Sequence, residues 1–191
     1  MPPIPINSVH ISINSYYYRI YAMYNANNDD DNDTHTKNAE KYLVNGNLKR
    51  LEWASWQEEE FIKINKKINK KENKFFVVGY FDGEIIDTNI FIDTFNAGYL
   101  PRGGGNMLLC IFIYYLRHIY KKYSTTEIFN IELKNTTFEN SKAYQKMGFE
   151  HSDNYYFSGH SPTMKLNNEK FNSQCKNINI ENENIVFYTD V

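Results

Sequence analysis

The residues best suited to chemistry stand together at Arg102-Gly103-Gly104-Gly105-Asn106, between a strand-forming run and a long apolar one. Consecutive glycines let a backbone approach a ligand closely. At a helix start the first N–H groups point outward without intrahelical partners, and the helix dipole favours an anion. Arg102 adds a fixed positive charge suited to phosphate. This pattern predicts a seat for phosphate or pyrophosphate; the plainer alternative is a flexible connector. Two common phosphate motifs are excluded. The chain has no G-x-x-x-x-G-K-[ST], and a G-x-G-x-x-G reading from Gly103 fails at Leu108. No acidic residue in a following strand is placed to take a ribose.

Other reactive groups are scattered. Five histidines (His10, His35, His118, His151, His160) show no H-x-x-x-H or paired-cysteine spacing, so no metal site is expected. Gly159-His160-Ser161-Pro162-Thr163 imitates a nucleophile elbow, but the closing glycine is absent and Pro162 argues for a turn. Cys110 and Cys175 do not make a disulfide framework. Cys110, inside the apolar run, is expected as inert packing. Lys63, Lys66, Lys67, Lys70, Lys71 and Lys74 recur at helical spacing. With no interleaved aromatics and a net charge of −2, they read as a solvated face, and nucleic-acid binding is not expected.

The elements that must position these groups follow from periodicity. Val9–Tyr24 reads as strand, broken near Asn14-Ser15. Residues 25–38 form an acidic, Asn-rich loop. Ala39–Lys71 is helical, divided at Asn45-Gly46-Asn47. Lys74–Phe81 is a strand, Asp82-Gly83 the strongest hairpin signal, and Glu84–Ile92 and Asn89–Ala97 resume as strand. A helix over Asn106–Tyr123 is apolar nearly all round between Met107 and Leu116 and must be buried. Glu127–Leu133 is a strand and Ser141–Met147 a short helix ended by Gly148. Strand-like pieces follow at His151–Phe157 and Thr163–Leu166. Residues 167–191 are an Asn-rich extension with a last strand near 185–188, which could pair with another subunit's sheet edge. Strand, Gly-rich turn, helix and strand make a right-handed parallel crossover. The expected fold is therefore α/β (α+β), a mixed, mostly antiparallel sheet flanked by helices, in one domain over 1–191.

Composition agrees with that class. The chain has 191 residues, 41% of them hydrophobic and 16% aromatic, enough to build a core without a metal or disulfide staple. The 26 asparagines are uneven: seven fall within 74–166, so the bias thins where the motifs lie. Met1-Pro2-Pro3-Ile4-Pro5 lacks a signal-peptide pattern. The longest apolar run is about half of what a membrane span needs. A soluble cytoplasmic protein is expected.

Within 74–166 the motifs resemble the Gcn5-related N-acetyltransferases. Arg102-Gly103-Gly104-Gly105 at a helix start resembles that family's acetyl-CoA signature, [QR]-x-x-G-x-[GA], with Met107 at its last position. Tyr144-Gln145-Lys146-Met147-Gly148-Phe149 resembles its Y-x-K-x-G-F segment, and Met164-Lys165-Leu166 its closing strand. The resemblance implies the acyl-CoA N-acyltransferase fold and transfer of acetyl from acetyl-CoA to a primary amine. It implies cofactor contacts at Phe95, Ala97, Arg102, Gly103, Gly104, Gly105, Asn106, Met107, Asn135, Asn140 and Tyr144. The strands before the turn and at Glu127–Leu133 would splay, with a backbone N–H near Phe95–Ala97 polarising the thioester carbonyl. Tyr144 would protonate the departing thiolate. Asp93 is the first candidate for the base, with Asp87 and Glu84 behind it. A small-molecule amine (polyamine, amino sugar or amino acid) is favoured over a protein lysine or N-terminus. The alternative is a catalytically weak or inactive CoA-binding module of the same fold.

Overall fold

In the computed structural model, residues 4–26, 34–44, 62–67, 74–96, 100–134, 138–152, 163–176, 178, 180 and 184–189 are described. Alternating apolar and polar residues make Ser8–Asn14 (β1) and Tyr17–Asn25 (β2) a hairpin, turning at Ser15 with positive φ. Helix α1 (Thr34–Ala39) continues as a π-helical turn over Glu40–Val44. Residues 62–67 (α2) are helical too. Lys63, Lys66 and Lys67 are exposed on α2, as a solvated face requires. The proposed divider at 45–47 and Lys70 and Lys71 lie outside the described residues.

Next come β3 (Phe75–Ile86), β4 (Asn89–Asn96), α3 (Gly104–Tyr114), β5 (Asn130–Leu133) and α4 (Phe138–Lys146). They are followed by β6 (Phe149–His151), β7 (Met164–Leu166), α5 (Asn168–Lys176) and β8 (Val186–Thr189). One mixed eight-stranded sheet results, ordered β6-β7-β5-β4-β3-β2-β1-β8. The β4–β5 and β1–β8 pairs are parallel and the others antiparallel. The fold is thus α/β with helices flanking a mixed sheet. No described helix is long and apolar enough to cross a membrane.

Much of the core lies on the face beneath α3, although over Phe76–Phe81 both faces are buried. Tyr18, Phe81 and Phe112 meet at ring distances of 4.7–5.8 Å beneath α3, whose Leu108–Phe112 stretch is buried. The opposite face carries cross-strand ion pairs, Arg19–Asp82 at 3.0 Å and Lys165–Glu132 at 3.2 Å.

Four expectations are corrected. The hairpin turn falls at Asp87-Thr88, with Asp87 at φ 52°, while β3 runs unbroken through Asp82-Gly83. Gly83 serves another purpose. Register slips between Asp82↔Thr94 and Gly83↔Ile92, leaving Asp93 as a bulge, and a Cβ on Gly83 would collide with the Phe91 carbonyl oxygen. Cys110 is not inert packing. It is bonded to Cys175 of α5 across 65 residues, so a tail read as polar extension is a helix fastened to the core. The polar composition of α5 hid this, because only Phe171 is buried. Finally, α1 begins at Thr34, inside the 25–38 span expected as loop; β8, paired with β1, forms one edge of the sheet.

Candidate functional site

The Gly-rich turn opens α3 with a distinct reason for each glycine. Gly103 is the N-cap at φ 83°, ψ −3°, a left-handed conformation that disfavours a Cβ, and the space around it is open. A Cβ on Gly104 would lie 2.7 Å from Leu100 Cβ. One on Gly105 would lie 3.2 Å from Met147 Cε and 3.3 Å from the Phe95 ring, so this glycine lets α3 close onto β4 and α4. The Gly104 N–H donates to Pro101 O (2.8 Å), and the first helical bond runs from Met107 N to Gly103 O (3.1 Å). No side chain caps this end. The N–H groups of Gly105 and Asn106 therefore face outward at the positive end of the dipole. Arg102 is exposed beside them. The Asn106 side chain is turned away: its Nδ2 donates to Gln174 Oε1 of α5 at 2.6 Å. Met107 is half-buried against the core and leaves the open side of Gly103 clear.

The described β4–β5 ladder ends beside this turn. The described register runs to Ile92↔Leu133, and the Lys134 N–H to Ile92 O bond (2.9 Å) is its last rung among the described residues, while β4 continues to Asn96. Phe95, on the α3 face of that continuation, stacks on Phe81 (5.5 Å, 9°) and meets Tyr144 edge-on at 6.2 Å. Tyr144 also contacts Phe149 at 6.3 Å. Burial raises its pKa above the ordinary phenol value, so it holds its proton at neutral pH.

The bulge puts Asp93 on the other sheet face. Its carboxylate lies 3.5 Å from Lys134 Nζ, which also bonds Glu84 at 3.0 Å. Burial lowers the Lys134 pKa, but its Glu84 hydrogen bond and the Asp93 charge outweigh that, so the ammonium persists. Glu84 and Asp93 thus share one cation, while Asp87 sits apart at the hairpin turn. The predicted acid and base flank β4 from opposite sides. Ala97 and Asn135 lie outside the described residues, as does the side chain of Asn140 in the first turn of α4.

Sequence reasoning missed two contributors. Gln174 holds Asn106 from a tail without a motif. Tyr18, 2% exposed, donates its hydroxyl to Phe91 O at 2.9 Å and braces the bulge. The alternation of β2 places Tyr18 inward, which was the available signal. Among the described residues no cluster of His, Cys, Asp or Glu could hold a metal. Against protein-family models, curated proteins and solved structures alike, the chain finds no match.

Proposed function

We propose that this chain is an acetyl-CoA-dependent N-acetyltransferase of the Gcn5-related kind, acting on a primary amine of a small molecule. The observation that carries the reading is the meeting, at one end of β4, of an uncapped glycine-rich helix start with the end of the described parallel β4–β5 ladder. Residues there fit an acyl-CoA: open space at Gly103, outward N–H groups at Gly105 and Asn106, and the charge of Arg102 suit a pyrophosphate. An extended arm would lie beside Phe95, past the last described pair of the β4–β5 ladder. When bound, acetyl-CoA supplies the activated acyl group.

The chain's own work is to orient and to move protons. A β4 backbone N–H beyond Phe95 donates to the carbonyl oxygen as charge develops there. Tyr144, kept protonated by burial, gives its proton to the leaving sulfur. Asp93, across the strand, accepts the proton of the attacking amine, while Lys134 steadies its carboxylate. Calorimetric titration with acetyl-CoA, followed by free-thiol release over an amine panel, is the test. Saturable binding and amine-dependent thiol release are expected; no binding at millimolar acetyl-CoA would overturn the reading. Because Lys134 engages Asp93, a second reading is a CoA-binding module without turnover, which predicts binding with no thiol release.

A further inference from the structure

At the other end of α3, some 20 Å from the Gly-rich turn, lies a cleft of about 640 Å³ between α3, α5 and the segment entering β5. Ile113, Phe129, Ile131 and Phe171 give it an apolar wall; Arg117, Lys176, His118 and Glu127 give it polar edges. The Cys110–Cys175 bond forms part of its lining, so α5 is held as one side.

Arg117 is the unusual group. Its guanidinium lies over the Phe129 ring at 5.4 Å, and Nη2 donates to the Glu127 carbonyl oxygen at 2.6 Å. Its Nε is shielded from solvent and has no acceptor among the described residues. The Glu127 carboxylate accepts the Ser124 N–H instead of bonding Arg117. Burial lowers the Arg117 pKa, with Glu127 opposing. A guanidinium against an apolar wall, bonded to a carbonyl rather than a carboxylate, lacks a direct counter-ion among the described residues. Among the described residues of this lining, two permanent cations, Arg117 and Lys176, face one carboxylate. Arg117 also lies in a π-helical turn, Tyr115–Ile119, closed by Tyr120 N to Tyr115 O at 2.8 Å. Such turns are rare and are frequent at functional sites.

We propose that this cleft binds a small amphipathic anion, an apolar body with a carboxylate head that accepts hydrogen bonds from the Arg117 guanidinium. The apolar wall disfavours inorganic phosphate, and the unmatched positive charge disfavours a neutral apolar molecule. The site is independent of acetyl transfer.

The test is calorimetry on the full, oxidised chain with octanoate, octanol and acetate, paired with methyl NMR of Ile113 and Ile131. Octanoate saturates one site and shifts those methyls; octanol and acetate bind at least tenfold more weakly. Arg117→Gln weakens octanoate at least tenfold. Lys176→Ala, at the exposed end of α5, weakens it about threefold and keeps the test valid if the Arg117 variant fails to fold. Octanol binding as tightly as octanoate, no octanoate binding at millimolar concentration, or unchanged affinity in the folded variants would overturn the proposal.

Discussion

Breaking the Cys110–Cys175 bond should cost the fold several kcal/mol, about as much as emptying a core position. The bond closes a loop of 65 residues from the middle of α3 to the end of α5. Chain-entropy arguments assign such a loop about 4 kcal/mol, because the cross-link removes conformations from the unfolded ensemble. In a chain of this size that corresponds to about 8–16 °C in melting temperature. The perturbations are a thiol reductant and, separately, Cys175→Ser; Cys175 is the half-buried partner, so serine there leaves no sealed hydroxyl. The assay is urea and thermal unfolding by circular dichroism, with alkylation and mass measurement to count thiols. Fewer accessible thiols than two in the native chain, and a matching loss in both perturbed forms, are expected. Two freely alkylated thiols in the native protein, or midpoints that agree within about 0.5 kcal/mol, would refute the reasoning.

Three further outcomes concern the bulge and the site. Tyr144→Phe should lower amine acetylation by about 100-fold or more while leaving acetyl-CoA affinity within twofold, as for loss of a proton donor; equal turnover would remove Tyr144 from that role. Tyr18→Phe should cost about 1 kcal/mol in unfolding free energy through the lost bond to Phe91 O. Burial, then Asp93 and Asp82, raise the Tyr18 pKa well above 10.0, so its contribution is complete below pH 10 and is lost as pH climbs towards the folded pKa. The phenylalanine variant should therefore show a flatter alkaline unfolding profile. Gly83→Ala should cost about 3 kcal/mol by forcing the Phe91 carbonyl away, whereas Gly103→Ala, with open space around it, should cost about 1 kcal/mol in backbone strain; urea denaturation separates the two.

The parts of the fold legible in the sequence are those whose periodicity reports burial. The inward alternation of β1 and β2, the apolar run that became α3, and the glycine ending α4, at φ 100° in Gly148, all mean in sequence what they do in space. Asp82-Gly83 misled because the same dipeptide serves two ends. A glycine suits a tight turn, but here it makes room for a carbonyl across a bulge, and that need arises only when β4 is alongside. The cysteines misled for a similar reason. A separation of 65 residues carries no trace of the α3–α5 contact, and α5 buries too little apolar surface to announce itself. For the site, the Gly-rich turn and Tyr144 were legible as local motifs. That Asp93 faces away from Tyr144 depends on one inserted residue, which reverses alternation and has no local signature.

The pairing of β8 with β1 has a consequence for biosynthesis. Strand β1 leaves the ribosome well before β8, and its outer edge finds its partner only after β8 has been made. At ordinary elongation rates that interval is about 10–35 s. During it the nascent sheet presents an open template to neighbouring polysomes. Ser8–Asn14 carries no Lys, Arg, Asp or Glu to guard that edge, so the late-made β8 is what closes it.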